Sequence, residues 1–202
     1  MSGKNAITAI ILAGGKSSRM QKDKGLIDFM GNMMIGHVIN KVRELTSDII
    51  IITKNPAYLQ FGYPCFNDIY PNAGPLGGIF TGLVNSGTEK NLVVGCDTPL
   101  LSAALLRSLT ERTNDEDVLI TVNKGKAEPL FAIYSRKCIP YFEERIKTGK
   151  FKVVDALQYV KTTVMNLDYE GWAVGDEFTN FNTPEELKTY ILHHSKSGDQ
   201  YE

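Results

Sequence analysis

Long apolar runs alternate with amphipathic stretches through most of the chain. Ala6 to Ala13 (AITAIILA) is an unbroken, β-branched apolar run closed by Gly14-Gly15, which predicts a strand buried on both faces. Residues 33–45 then set Met34, Val38, Val42 and Leu45 at helical spacing. SDIIIIT (47–53) and NLVVGC (91–96) have the character of further buried strands, and a Pro- and Gly-rich loop between them leads into GGIFTGLV, a helix expected to begin near Pro75. Pro99 is expected to open a helix through LLSAALLRSLTER. VLITV (118–122) and PLFAIY (129–134) predict two more strands, KVVDALQYV a helix and TTVMNL a strand. The last helix, TPEELKTYILHH, carries its own start signal: Thr183 as N-cap, Pro184 at the first helical position and Glu186 three residues on, a capping box.

Strands alternating with helices in this way imply βαβ units, an α/β fold with a largely parallel sheet and right-handed crossovers. No internal repeat or linker interrupts the pattern, so residues 1–195 are expected to form one domain and 196–202 a polar, frayed tail. At 202 residues the chain is long enough to bury roughly 70% of its unfolded surface. Lys plus Arg is 22 and Asp plus Glu is 23, so the basic excess of a protein that grips a nucleic-acid backbone is missing. The N-terminal apolar run is too short to span a bilayer and lacks a signal-type cleavage site, so neither a membrane nor secretion is expected and the location is expected to be cytoplasmic. Cys65, Cys96 and Cys138 form no CxxC pair, which fits reduced thiols rather than a disulfide framework or a zinc ribbon.

In open α/β sheets ligands bind outside the carboxyl ends of the strands, and the chemistry-bearing residues fall there. The first strand runs into Leu12-Ala13-Gly14-Gly15-Lys16-Ser17-Ser18-Arg19-Met20. Bare glycine backbone lets successive N–H groups cradle a phosphate, Arg19 adds a planar fork of donors, and Lys24 adds a point charge. The P-loop pattern GxxxxGK[ST] would need glycine where Ile10 stands, and GxGxxG is absent too. The strand ending Val94-Gly95-Cys96-Asp97 offers a carboxylate that either holds Mg²⁺ or caps the next helix. Between them, the loop Asn67–Gly78 brings Asp68 toward a nucleotide sugar or base, or is a plain turn, with Gly77-Gly78 at the start of a helix.

LAGGKSSRM…DKGL, DIYPNAGPLGG, CDTPLL and NFNTPEEL, in that order over roughly residues 6–192, together resemble the molybdenum cofactor guanylyltransferases of the nucleotidyltransferase superfamily. LAGG rather than LAAG, with the intact Asp-Lys-Gly at 23–25, resembles the guanylyl branch rather than the cytidylyl one. The resemblance implies a single-domain three-layer sandwich, a Rossmann-like, mostly parallel sheet carrying one antiparallel strand. It implies an Mg²⁺-dependent enzyme with GTP and molybdopterin as substrates, and transient contact with cofactor-handling proteins. Leu12, Ala13 and Gly14 would contact the guanine nucleotide, with Gly15 and Arg19 near its phosphates and Lys24 on the α-phosphate. Asp68 matches a nucleotide-contacting acid, Gly78 a glycine near the site, Asp97 the metal ligand, and Asn182 a contact to metal or acceptor pterin. Lys24, Arg19 and Asp97 are then the catalytic set. The chain departs from the family at Gln21, where glycine is usual after the Arg-Met pair.

Transfer onto an acceptor that is already an ionised phosphate monoester needs no general base. His37 is accordingly expected to be exposed or partly packed on the first helix, and Cys96 to be an inert thiol in its strand. Two other readings stay open from the residues: a nucleotidyltransferase with another base or acceptor, such as a cytidylyl or sugar-phosphate enzyme, and a silent nucleotide-binding regulator.

Overall fold

The computed structural model describes residues 6–14, 23–169, 175–179, 181 and 183–195. In chain order its elements are β1 (Ile7–Leu12), β2 (Asp28–Phe29), β3 (Asn32–Met33), α1 (Met34–Arg43), β4 (Ile49–Ile52), β5 (Cys65–Phe66), α2 (Gly74–Asn85), β6 (Lys90–Gly95), α3 (Ala103–Arg112), β7 (Val118–Asn123), β8 (Lys126–Ser135), α4 (Ile139–Lys147), α5 (Val153–Ala156), β9 (Thr162–Asn166) and α6 (Pro184–Ser195). The seven-stranded sheet has the order β5-β4-β1-β6-β8-β7-β9, and every pairing is parallel except the two made by β8. The alternation of apolar runs with amphipathic helices therefore yields the expected mostly parallel sheet with one antiparallel strand.

Each apolar strand is sealed on both faces. Ile11, Val94 and Ile133 pack against Ile35, Val38 and Val42 of α1 and Leu105, Leu106 and Leu109 of α3. On the other face Ile10, Val93 and Ala132 meet Leu76, Ile79 and Leu83 of α2 and Phe142 and Ile146 of α4. This is why AITAIILA shows no alternation: in a sandwiched parallel strand both faces are interior. A third cluster joins Phe29, Met34, Phe181 and Leu187, so α6 closes over the small β2–β3 hairpin.

The structure corrects two readings of element boundaries and adds a hairpin that the sequence pattern did not predict. Pro99 does not open a helix; α3 starts at Ala103, where Ser102 Oγ accepts the Leu105 N–H at 3.1 Å. Residues 97–101 instead form a turn held by Thr98 Oγ1 donating to Gly95 O at 3.0 Å and Leu101 N donating to Thr98 O at 3.3 Å. KVVDALQYV supplies only the four residues of α5 and a 3-10 turn, Leu157–Tyr159. The β2–β3 hairpin arises through a turn with Met30 at φ 53° and Gly31 at φ 86°, without the Asn-Gly or Asp-Gly pair that usually announces such a turn. The capping box is present as expected, with Glu186 N donating to Thr183 Oγ1 at 3.2 Å and Thr183 N to Glu186 Oε2 at 3.3 Å.

α2 lies close against β1 because Gly82 has no side chain. A Cβ there would press on Ile10 Cγ2 and lie 2.8 Å from Ile10 Cδ1. Ile10 is β-branched and fully buried, so it cannot swing aside. Gly82→Ala should gain about 1 kcal/mol of helix propensity but incur overpacking of about 1–3 kcal/mol. The expected outcome is a net loss of about 1 kcal/mol, seen as a lower urea midpoint with an unchanged slope.

Candidate active site at the carboxyl edge of β1 and β6

Chain connection makes β1 and β6 the switch point of the sheet. From β1 the chain goes through α1 to β4 on one side, then through α2 back across β1 to β6 on the other. A crevice opens outside the strand ends at such a point. Leu12 is paired with Ile52 and with Gly95, and the ladder extends one step beyond: Ala13 N donates to Ile52 O at 2.9 Å, and Cys96 N to Leu12 O at 3.1 Å. The segment Leu12-Ala13-Gly14 and the segment Gly95-Cys96-Asp97 thus leave the sheet side by side.

Lys24 meets Asp97 there. Its ammonium lies 3.4 Å from Asp97 Oδ2, and the two side chains are 19% and 22% exposed, so the pair is sheltered yet open to a ligand. Asp97 does not cap the following helix, since Ser102 does that. Of the two readings of this carboxylate, the helix cap is therefore excluded. Gly95 sets its orientation: a Cβ there would lie 2.9 Å from Asp97 Oδ1. Among the described residues, the only atom within 4 Å of a Cβ added at Gly14 would be Ile52 O, at 4.0 Å. The described residues therefore leave room for a side chain at that position.

Asp68 and Gly78 come to the same place. A Cβ on Gly78 would touch Leu12 Cδ2 at 3.2 Å and Asp68 Oδ1 at 3.7 Å, so α2 starts hard against the end of β1 with Asp68 beside it. Partial desolvation holds the Asp68 carboxyl above its usual range. Leu12, Ala13, Gly14, Lys24, Asp68, Gly78 and Asp97 are therefore gathered at one edge, while Gly15, Arg19 and Asn182 lie outside the described residues. Phe181, next to Asn182 in sequence, is buried against Phe29 at a ring-centroid distance of 5.4 Å, which carries the C-terminal motif to the hairpin that follows Lys24.

Four groups here drew no role from the sequence: Asp23, Tyr58, Gly95 and Glu128. Tyr58 O–H donates to Asp23, and Gly25 packs against Tyr58 Oη and Cys96 Sγ. Glu128 sits opposite Thr121 at an irregular step in the β7–β8 pairing, and desolvation raises its carboxyl. Only the Asp-Lys-Gly triplet and the glycine before Cys96 could have hinted at the first and third. His37 is partly packed as expected: its Nε2–H donates to Phe29 O at 2.7 Å and its ring stands edge-on to Phe29. Burial raises the Cys96 thiol well above its ordinary value, which makes it inert.

A cation and a carboxylate facing each other across a switch point, next to bare glycine backbone, are the equipment of a nucleotidyltransferase. Residues 9–161 match the family described as MobA-like NTP transferase domain, and the chain belongs to that family. It is 36% identical over 182 residues to a protein of Flavobacterium johnsoniae named probable molybdenum cofactor guanylyltransferase, covering 90% of this chain and 94% of that one. A protein of Vibrio vulnificus named molybdenum cofactor guanylyltransferase is 34% identical over 186 residues, covering 90% and 93%. The crystal structure of molybdopterin-guanine dinucleotide biosynthesis protein A from Archaeoglobus fulgidus shares the fold, with a TM-score of 0.76 at 21% identity over 94% of this chain and 99% of that one.

Gly95→Ala separates stability from function. The atom in the way is the tip of a mobile side chain, so the fold should tolerate the methyl group and the melting temperature should hold. Asp97 must turn away from Lys24, however, and a shift on the order of 1 Å at a reacting centre costs about 100-fold in rate. A pyrophosphate-release assay beside a melting curve checks both halves.

Proposed function

We propose that the chain transfers GMP from GTP to the phosphate of molybdopterin, forming molybdopterin guanine dinucleotide and pyrophosphate. The observation that carries this reading is the 3.4 Å approach of Lys24 to Asp97 at the mouth between β1 and β6, on a chain whose relatives bear that name. An oxygen of the acceptor phosphate attacks the α-phosphorus of GTP in line, the bond to the β-phosphate oxygen breaks, and pyrophosphate leaves. Such a transfer asks for positioning and charge stabilisation rather than covalent chemistry. The Lys24 ammonium takes up charge that grows on the α-phosphate, and the backbone of Leu12, Ala13 and Gly14 lies against the nucleotide. Asp68 faces the sugar or base from the loop that leads into α2. Gly15 and Arg19 at the phosphates and Asn182 toward the pterin complete the site on the strength of the family motifs.

The donor set fits magnesium. Asp97 offers a partly exposed carboxylate with one oxygen turned to Lys24 and the other free of that pair, and Mg²⁺ needs only one or two carboxylates when phosphates and water fill its remaining positions. When bound, the ion neutralises phosphate charge and aligns the reacting groups. No helix among the described residues is long and apolar enough to cross a membrane, which fits a cytoplasmic enzyme that passes its product to other cofactor-handling proteins.

A melting panel of GTP, ATP, CTP and UTP, each with and without Mg²⁺, tests the nucleotide. At a hundred times its dissociation constant a ligand stabilises by about 2.7 kcal/mol, roughly 5–10 °C for a domain of this size. A GTP-selective shift is expected, whereas selectivity for CTP or UTP contradicts the guanylyl assignment. In the turnover assay Asp97→Ala should remain folded and lose about 100-fold or more of its metal-dependent rate. Normal turnover by that variant rules out the metal site.

A further inference from the structure

Asp23 stands at the N-cap position of the 3-10 turn Lys24–Leu26, yet its side chain caps nothing there. An aspartate so placed ordinarily accepts a hydrogen bond from an amide of the first turn. Here one carboxylate oxygen accepts the phenol O–H of Tyr58 and the other accepts Asn55 Nδ2–H at 3.1 Å. Both donors belong to the segment after β4, where the 3-10 turn Pro56–Phe61 is itself capped by Asn55 Oδ1 accepting the Ala57 N–H at 3.0 Å. The Asn55 amide divides its work, with the oxygen on its own turn and the nitrogen on Asp23. Tyr58 is fully buried, and burial together with the nearby Cys96 raises its phenol, so it remains a donor throughout the physiological range.

The other flank of Lys24 is fixed by the same group. Gly25 lies so close to Tyr58 Oη and Cys96 that an added Cβ would be 2.9 Å from Cys96 Sγ. Asp23 and Gly25 are thus both held against the Tyr58 hydroxyl, and Lys24 between them reaches Asp97. A bare carboxylate one residue from Lys24 would compete with Asp97 for its ammonium. Two donors on Asp23 disperse that charge and fill the oxygens that would attract it.

We propose that Tyr58 and Asn55 are positioning residues for Lys24: by occupying both oxygens of Asp23 they pin the Asp-Lys-Gly segment against β6 and deliver the ammonium to Asp97 and the reacting phosphate. The proposal rests on the reading that Lys24 meets the nucleotide. It goes beyond the family motifs, because Tyr58 and Asn55 lie in a loop outside all of them.

The test uses the full-length protein. Asn55→Asp keeps the oxygen that caps the 3-10 turn but turns a second carboxylate toward Asp23; Tyr58→Phe removes only the phenol oxygen. Each should lower kcat by about 100-fold, the cost of a misplacement on the order of 1 Å. KM for the nucleotide should stay within about 2-fold, since the backbone contacts that bind substrate and transition state alike are untouched. Adding Asp23→Asn to Asn55→Asp reverses donor and acceptor across the contact, and should restore most of the lost kcat; a merely structural defect would instead show in KM and the melting temperature as well as in kcat. Should Tyr58→Phe fail to fold, the Asn55→Asp series carries the test alone. Crystal structures of the Asn55→Asp variant give a readout independent of turnover, with Lys24 expected to leave Asp97. The assay is run with all four NTPs, so a wild type that uses CTP overturns the guanylyl reading while the comparison of variants still stands. Single variants as fast as wild type, a double variant no faster than Asn55→Asp, or Lys24 still seated on Asp97 in the variant crystal would each overturn the proposal.

Discussion

The pairing of β1 with β6, in register from Ile7 opposite Lys90 to Leu12 opposite Gly95, is the constraint on which the site depends. Neither strand has a polar face, so both must be covered by helices, and the chain must cross over β1 to bring β6 beside it. That crossover makes the switch point, and the register leaves Ala13-Gly14 and Cys96-Asp97 emerging as neighbours. A slip of one residue would turn every core side chain of β6 to the wrong face. The apolar packing therefore fixes where the acidic group stands relative to the glycine backbone, with far more energy behind it than the exposed groups could supply.

Within that frame the charged groups are placed by small residues and by a buried phenol. Gly95 leaves space for Asp97, Gly78 lets α2 begin against Leu12, and Gly25 lets the Lys24 segment close on Tyr58 and Cys96. Each glycine gives up side-chain packing so that a functional group or a backbone can come near. The Lys24–Asp97 pair lies partly in the open and adds little to stability on its own. On the proposed function its importance lies in preorganisation: the positive charge already stands where negative charge would develop.

Much of this was legible in the residues, and what was not has identifiable causes. The strands announced themselves because double-sided burial demands continuous apolar runs, and α6 because Thr183 and Glu186 satisfy each other. Lys24, Asp68, Gly78 and Asp97 could be singled out since their chemistry is tied to strand ends and glycine pairs. The start of α3 was misread at Pro99 because a proline suits a turn as well as a first helical residue, and only the Ser102 cap decides between them. The β2–β3 hairpin was missed because Met30 adopts a left-handed φ that its residue type does not favour. Tyr58 left no trace, being one of nine tyrosines whose partner Asp23 is 35 positions away. Contacts between side chains distant in sequence are set by the fold and have no local signature.

At the opposite, amino-terminal edge of the sheet lies a cavity of about 440 Å³ lined by Glu89, Lys90, Asp115 and Lys137 among others. The most direct test of the account is a crystal structure of the protein with a non-hydrolysable GTP analogue and Mn²⁺ in place of Mg²⁺, the metal located by its anomalous scattering. The account predicts the metal bonded to the Asp97 carboxylate, and the α-phosphate within reach of Lys24 and against the Leu12–Gly14 backbone. A nucleotide seated in the cavity beside Lys90 and Lys137, or a metal bound away from Asp97, would contradict it.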